Sequence, residues 1–325
     1  MILLTHPPAA RDLYYGPRAL AALQALGPVR LNEAAPLLGE ALVRAAEGCT
    51  VIVADRAVPA PASLFAALPA LVAFVRNAVD IRTVDVPAAS AAGVLVTQAS
   101  PGFVPAVAEL VLGLIIDLCR GVSTAAVTYR TCQVPPVRMG RQIAGSTVGI
   151  VGYGAIGRRL ARLLAACDAT VLITDPYSTT DGPEQFTLTL LLARADTVVC
   201  LALATPETAN LFDRTAFAAM KQGALFVNAS RGELVDEAAL ADALDRGHLA
   251  GAALDVGRAP DQMPSPALAA RADVVATPHI GGLTREAAEH QAMETVRQTD
   301  AILRGKAPPG SVNANAAARL RAYGS

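Results

Sequence analysis

Residues 147–175 read TVGIVGYGAIGRRLARLLAACDATVLITD, and this stretch decides the fold. An apolar run leads into Gly152, Gly154 and Gly157, and an Ala/Leu-rich segment then leads to a second apolar run that ends in Asp175. The spacing predicts a strand, a tight turn, a helix that begins at the turn, and a second strand. This unit is typical of Rossmann folds, where it binds a dinucleotide.

Each glycine of the turn has its own expected role. Gly152 permits the tight turn, Gly154 lets the backbone approach a pyrophosphate, and Gly157 lets the helix pack closely on the strand. The start of the helix, where Ala155 and Ile156 line the turn, offers unpaired N–H groups and the positive end of the helix dipole to phosphates.

Asp175 lies eighteen residues after Gly157, at the end of the second predicted strand. A carboxylate there can accept hydrogen bonds from ribose hydroxyls and would repel a 2′-phosphate. Because no Arg or Lys follows closely in DPYSTT, we expect NAD rather than NADP as cofactor. The alternative is a glycine turn without a ligand, in which Asp175 only caps the strand.

The rest of the chain alternates in the same way. The β-branched runs are MILLT, CTVIVAD, ALVAFVR and AGVLVTQ before this stretch, and DTVVCLAL, ALFVNAS, GAALDV and DVVATPHI after it. Such continuous apolar runs are typical of parallel strands covered by helices on both faces. Helices are predicted near residues 18–26, 107–118 and 286–303, and the Ala/Asn-rich tail after Pro308 is expected to be peripheral. The helix near 107–118 is apolar nearly all round, so it should be buried on more than one side.

Composition excludes several classes of protein. The chain has 325 residues, of which 53% are hydrophobic and 17% charged, so it can bury a large core and lacks the signature of disorder. A formal net charge of -1 gives no general attraction to nucleic acid or to an anionic membrane. No apolar run is long enough for a transmembrane helix, and the N-terminal one is too short for a signal peptide. The five cysteines form no CxxC pair and the four histidines are scattered, so we expect no metal site and a cytoplasmic protein.

Several segments together resemble the D-isomer-specific 2-hydroxyacid dehydrogenases. The matching stretches, in chain order, are SPGFVPAVAELVLGLI, TVGIVGYGAIG, LATPETANLF, GALFVNASRGELVDEAALADAL, GHLAGAALDV and ATPHIGGLT. The resemblance implies an α/β fold in which a Rossmann domain with a doubly wound parallel sheet is inserted into a second, flavodoxin-like α/β substrate domain. On this basis residues 102–286 form the dinucleotide-binding domain, and residues 1–101 and 287–325 form the substrate domain. The family is usually dimeric, which implies a homodimer here.

The resemblance implies two catalytic residues in this chain. Arg231, in NASRGELVD, follows a predicted strand, and its guanidinium can hold a substrate carboxylate with two parallel hydrogen bonds and polarise the reacting carbonyl. His279, in TPHIGG, also follows a strand, and an imidazole can give or take the hydroxyl proton during hydride transfer. Without the motif, Arg231 would be read as a surface residue and His279 as a structural histidine.

Three further residues are implied on the cofactor side. Asp255, in GAALDV, matches a family position near the nicotinamide. Ala229 and Ser230 should pass close to the nicotinamide ribose, directly before Arg231 in the chain.

The sequence departs from the family after Asp255. A glutamate usually stands there just before a proline and hydrogen-bonds the catalytic histidine, whereas this chain has Ala259 before Pro260. Asp261 could substitute for the missing carboxylate, or it could be an ordinary turn residue.

The substrate loop departs as well. The family has a Gly-Val-Gly turn whose N–H groups bind the substrate carboxylate, and the matching stretch here has Ala78 and Asp80 where glycines are usual, with Arg82 where an acid is usual. Ala78 and Val79 could still present main-chain donors. Asp80 and Arg82 could simply form a surface pair, and Arg56 could reach the cleft or remain solvated.

These features together predict an NAD-dependent dehydrogenase that interconverts a small D-2-hydroxy acid and its 2-oxo acid. The missing glutamate leaves open a non-catalytic NAD(H)-sensing module. Hydride abstraction from a donor that is not a hydroxy acid, such as formate or phosphite, is the third reading.

Overall fold

The computed structural model describes residues 1–178 and 182–323. The chain forms two compact units, one comprising Met1–Phe103 and Thr284–Ser325 and the other Val104–Leu283. The second unit therefore interrupts the first in sequence. The assignment of the first unit to the substrate stays a prediction.

The first unit is built on a five-stranded sheet in which every neighbouring pair is parallel. Its strands are β1 (Ile2–Leu4), β2 (Val29–Leu31), β3 (Val51–Ala54), β4 (Ala73–Arg76) and β5 (Leu95–Thr97). They lie in the order β2-β1-β3-β4-β5, which is the flavodoxin-like order. The runs in β1, β3, β4 and β5 are fully buried because helices cover both faces of the sheet.

Two apolar clusters, one on each face of this sheet, form the core of the first unit. The helices of the unit are α1 (Pro8–Tyr14), α2 (Gly16–Ala25), α3 (Gly39–Ala46), α4 (Ala62–Ala67), α5 (Val86–Ala91), α13 (Arg285–Leu303) and α14 (Ala318–Tyr323). The predicted helices near residues 18–26 and 286–303 correspond to α2 and α13.

The C-terminal segment is not peripheral, as its composition suggested. Ser311 forms an antiparallel bridge with Thr97, and the Asn313 side chain accepts from Val96 N at 2.8 Å and donates to Val94 O at 2.9 Å. The segment thus supplies hydrogen bonds along β5, at the edge of the sheet. The expectation was wrong because an Ala/Asn-rich composition does not reveal pairing with a sheet edge.

The second unit is built on a seven-stranded parallel sheet. Its strands are β6 (Thr147–Val151), β7 (Thr170–Thr174), β8 (Glu184–Gln185), β9 (Thr197–Cys200), β10 (Ala224–Asn228), β11 (Leu249–Leu254) and β12 (Val274–Ala276). They lie in the order β12-β11-β10-β9-β6-β7-β8. The strand order reverses between β6 and β9, and such a switch point is where open α/β sheets bind ligands.

The longest helix of the second unit packs against the helix that follows the glycine turn. The helices are α6 (Val104–Arg120), α7 (Val122–Arg130), α8 (Ala155–Ala166), α9 (Leu188–Arg194), α10 (Arg214–Ala219), α11 (Glu237–Asp245) and α12 (Pro266–Ala269). Along α6 the buried residues lie on one face, whereas Leu112 is half-buried and Ile116 is exposed. This chain by itself therefore covers α6 mainly on one side.

Across residues 1–178 and 182–323, no single helix is both long and apolar enough to cross a membrane. The pair α6 and α7 meets the criteria of length and composition only when the two are taken together, across a 71° bend.

Candidate active site

The predicted site residues of the second unit lie at one edge of its sheet. Because all strands are parallel, the segments that follow β7, β6, β10, β11 and β12 leave the sheet at the same edge. Asp175, the glycine turn, Arg231, Asp255 and His279 come after these strands in that spatial order. The topology therefore places them in one row along the carboxyl edge.

The three glycines of the turn differ in how much space they leave for a side chain. Gly152 has φ 99°, and an added Cβ would lie 2.5 Å from Ala202 N. An added Cβ at Gly157 would lie 2.4 Å from Gly152 O. Gly154 is exposed, has φ −73°, and an added Cβ there would meet no atom within 4 Å. The fold itself therefore requires glycine at 152 and 157 but not at 154, which leaves open space where a ligand would approach.

The helix α8 begins directly after this open position. Gly154 is its N-cap residue and contributes no side-chain cap. Ala155 is exposed and Ile156 half-buried at the first turn. The first N–H groups of a helix lack partners within it, so they and the helix dipole suit a pyrophosphate.

Asp175 binds the backbone on both sides of the turn. Its Oδ2 accepts from Tyr153 N at 2.7 Å, and its Oδ1 accepts from Tyr177 N at 2.9 Å. The carboxylate thus ties the glycine turn to the segment after β7, and an oxygen that accepts one bond can still accept another from a ribose hydroxyl. The last two residues of DPYSTT, at 179 and 180, lie outside the described residues.

The loop that carries Arg231 is fixed by a residue that sequence reasoning missed. Asn228, buried at the end of β10, donates from Nδ2 to Arg231 O at 3.0 Å and accepts from Ser230 N at 3.1 Å. Ser230 Oγ donates to Ala202 O, and Ala229 N donates to Cys200 O. These bonds join the loop to the segment after β9, next to the glycine turn.

Arg231 itself is half-buried. Its Nη1 donates to Ser230 O at 2.7 Å. A guanidinium has five N–H donors, so this bond leaves capacity for two parallel hydrogen bonds to a carboxylate.

Asp255 organises the loop that carries His279. It is buried, with 2% of its surface exposed. Its Oδ1 accepts from Thr277 Oγ1 at 2.7 Å and from Ile280 N at 2.8 Å, and its Oδ2 accepts from Gly281 N at 2.8 Å. Both oxygens are thus engaged by the TPHIGG loop, so Asp255 holds the loop on both sides of His279.

His279 has a main-chain partner in place of the expected carboxylate. Its Nδ1 lies 2.7 Å from Asp261 O, a carbonyl oxygen that can only accept a hydrogen bond. Nδ1 therefore carries a proton, and Nε2 is the nitrogen that is available for proton transfer. The hypothesis that Asp261 replaces the glutamate is corrected in its chemistry, because the hydrogen bond uses the main chain of Asp261 and not its carboxylate.

The proposed substrate loop belongs to the first unit. Ala78 is buried and Val79 half-buried, and Asn77 separates them from the end of β4. Asp80 and Arg82 form an exposed ion pair, with Arg82 Nη2 2.7 Å and Nε 3.0 Å from Asp80 Oδ2. The structure therefore has the surface pair that the sequence offered as the simpler alternative. Arg56, after β3, is exposed.

Arg76 and His6 form a buried polar group at the carboxyl edge of this sheet. Arg76 donates to Asp55 O, to Val58 O at 2.7 Å and to Thr83 Oγ1 at 3.0 Å, and burial lowers its pKa to about 10. Burial lowers the pKa of His6 to about 4, although the nearby Asp55 raises it. His6 is therefore neutral near pH 7.

The known protein family that matches this chain is matched within its second unit. The sequence profile described as "D-isomer specific 2-hydroxyacid dehydrogenase, NAD binding domain" matches residues 112–281. D-3-phosphoglycerate dehydrogenase of Mycobacterium bovis is 40% identical over 258 residues, which are 78% of this chain and 49% of that protein. This chain thus spans about half the length of such relatives.

Other similar proteins are matched over most of their length. Glyoxylate reductase of Thermofilum pendens is 34% identical over 263 residues, 78% of each chain. The crystal structure of the TT0316 protein from Thermus thermophilus superposes with a TM-score of 0.83 and 31% identity, covering 96% of this chain and 99% of that one. The chain therefore belongs to the D-isomer specific 2-hydroxyacid dehydrogenase family, and its second unit contains the family's NAD-binding domain.

Proposed function

We propose that the protein is an NAD-dependent oxidoreductase that interconverts a small D-2-hydroxy acid and its 2-oxo acid. The observation that carries this proposal is the row of Arg231, Asp255 and His279 at the same sheet edge as the glycine turn. A dinucleotide held at the turn, with its pyrophosphate on α8, would extend along this edge toward β10, β11 and β12.

The roles of the residues follow from their chemistry. A bound nicotinamide supplies the hydride acceptor or donor. Arg231 holds the substrate carboxylate and polarises the reacting carbonyl, because a guanidinium provides paired donors in a plane. His279 takes the hydroxyl proton at Nε2 during oxidation and returns it during reduction, because its Nδ1 is fixed on Asp261 O. Ala78 and Val79 are proposed as further donors, from their main chain, to the substrate carboxylate.

The class of substrate is supported by the similar proteins. Relatives carry the names D-3-phosphoglycerate dehydrogenase and glyoxylate reductase, whose substrates are small 2-hydroxy or 2-oxo acids. Asp255 supports the proposed role of His279. A buried carboxylate that accepts three hydrogen bonds from the His279 loop is expected where the orientation of that histidine matters.

A panel of substrates tests the proposal. We expect purified protein to oxidise NADH with at least one of glyoxylate, pyruvate, longer 2-oxo acids or a phosphorylated 2-oxo acid, and to use NADPH less well because of Asp175. NADH binding without turnover of any 2-oxo acid would favour the sensing module instead. Reduction of NAD by formate or phosphite would favour the third reading.

We also propose that the protein is a homodimer. The segment of residues 122–139 exposes more than half of the surface of several apolar side chains, namely those of Val122, Val127, Tyr129, Val134, Val137 and Met139. Exposed apolar side chains concentrated in one segment are typical of a contact surface. Sedimentation velocity should give a dimer that Val137→Ser/Met139→Ser weakens, and a wild-type monomer at micromolar concentration would refute the proposal.

A cytoplasmic location is proposed on the state of the thiols. All five cysteines are free, and Cys49 and Cys200 are buried. Unpaired thiols are usual in a reducing compartment.

A further inference from the structure

The loop between β11 and α12 has an unusual backbone at the point where it meets His279. Asp261 has φ 56° and Gln262 has φ 61°, both in the left-handed region. Side-chain-bearing residues rarely adopt this conformation unless their surroundings enforce it. Here it directs the Asp261 carbonyl at His279 Nδ1.

The side chain of Gln262 connects this loop to the loop that carries Arg231. Its Oε1 accepts from Gly232 N at 3.2 Å, and its Nε2 donates to Glu233 Oε1 at 3.0 Å. Its own carbonyl accepts from Gly257 N at 2.8 Å, which closes the loop. One amide side chain thus bonds the two residues that directly follow Arg231.

The two loops are also in direct backbone contact. An added Cβ at Gly232 would lie 2.1 Å from Gly257 O, so no side chain fits between the loops there. Because the contact is so close, a shift of the loop that contains Gln262 would be transmitted to the neighbourhood of Arg231.

We propose that Gln262, with Glu233 as its partner, is a positioning residue. It holds the loop that carries Arg231 and the loop that contacts His279 in a fixed relative position. It does for the histidine what a carboxylate at position 259 would otherwise do, by holding the Asp261 carbonyl in place. This inference rests on the proposed function, because it assumes that Arg231 and His279 act on the substrate.

The loop has other supports that should keep a Gln262 variant folded. Arg258 N donates to Glu237 Oε1 at 3.1 Å, and the Arg258 guanidinium donates to Val235 O and to Asn210 Oδ1. These bonds hold the first half of the loop without Gln262.

A charge exchange tests the proposal. Gln262→Glu would place two carboxylates at the 3.0 Å contact, and we expect kcat to fall about 100-fold, as misplacement by about 1 Å can cause. In the double variant Gln262→Glu/Glu233→Gln, the new carboxylate can accept from both Gly232 N and the new amide. We expect kcat to recover to within a few-fold of the Glu233→Gln single variant, with NADH affinity constant throughout.

A second measurement reports on His279 without turnover. Long-range ¹H–¹⁵N spectra show which imidazole nitrogen carries the proton, and His279→Ala assigns the signal among the four histidines. The wild type should have the proton on Nδ1. The near-isosteric Gln262→Met, which keeps the volume and removes both hydrogen bonds, should give a mixture of tautomers.

The outcomes separate the two proposals. A Gln262→Met variant with wild-type kcat and an unchanged Nδ1 proton would overturn the role of Gln262. Failure of the charge exchange to recover kcat, with both variants folded by circular dichroism, would do the same. Should Gln262→Met not fold, the charge exchange decides alone. Full activity of His279→Ala would instead overturn the proposed function, whatever the spectra of the wild type show.

Discussion

Replacement of His279 by alanine is expected to lower kcat for 2-oxo acid reduction by about 10²- to 10⁴-fold, which is the usual contribution of a positioned acid or base. NADH affinity should stay near the wild-type value, because the glycine turn and Asp175 are separate from the His279 loop. Stopped-flow turnover and fluorescence titration with NADH measure the two quantities.

A loss of similar size is expected when Arg231 is replaced. Arg231→Ala should lower kcat/KM by about 10²- to 10⁴-fold, if two charge-assisted hydrogen bonds of about 1.5–3 kcal/mol each are lost. Arg231→Lys keeps the charge and loses the planar pair of donors, so it should recover only part of that loss. If both alanine variants kept wild-type turnover, neither residue would touch the substrate.

The second large effect is expected at Gly154. Gly154→Val should raise the dissociation constant of NADH about 100-fold, because the added side chain fills the open space where the backbone would meet a pyrophosphate. The loss of two hydrogen bonds to a charged group, about 3 kcal/mol, corresponds to this factor. The thermal midpoint should fall much less than in Gly152→Ala, because the backbone at Gly154 is extended and an added Cβ there meets no protein atom within 4 Å.

Two other glycines serve as controls for this measurement. Gly113, in the middle of α6, also has open space at the Cβ position, so Gly113→Ala should leave NADH affinity unchanged. Gly152→Ala should instead destabilise the fold, because of its positive φ and its 2.5 Å approach to Ala202 N. Tight NADH binding by a stable Gly154→Val protein would mean that the dinucleotide does not approach the turn.

The sheets were predictable wherever the strands are buried. The runs that became β1, β3, β4, β5, β9 and β10 are largely apolar because both faces of each strand are covered. No such signal marks β2 (Val29–Leu31), which is half-buried and contains an arginine, or β8 (Glu184–Gln185), which is exposed. Helix α1 was missed for a related reason, since none of its residues is buried.

The candidate site was predictable only in part. Gly152, Asp175, Arg231, Asp255 and His279 could be named from motifs, and the sheet order places them along one edge. That Asp255 holds the His279 loop could not be read from the sequence, because its partners in that loop are more than twenty residues away. Asn228 had a weak signal, as a polar residue at the end of a buried strand.

By itself the sequence determined the α/β class, the parallel strands and the dinucleotide turn. These depend on periodicity, on strand-turn-helix spacing and on glycines that the turn itself requires. Only the tertiary structure decided what faces His279 Nδ1 and what ties that loop to Arg231. Both depend on the left-handed backbone at Asp261 and Gln262 and on the contact between the loops after β10 and β11. Such a contact arises from the packing of distant segments, and no local pattern encodes it.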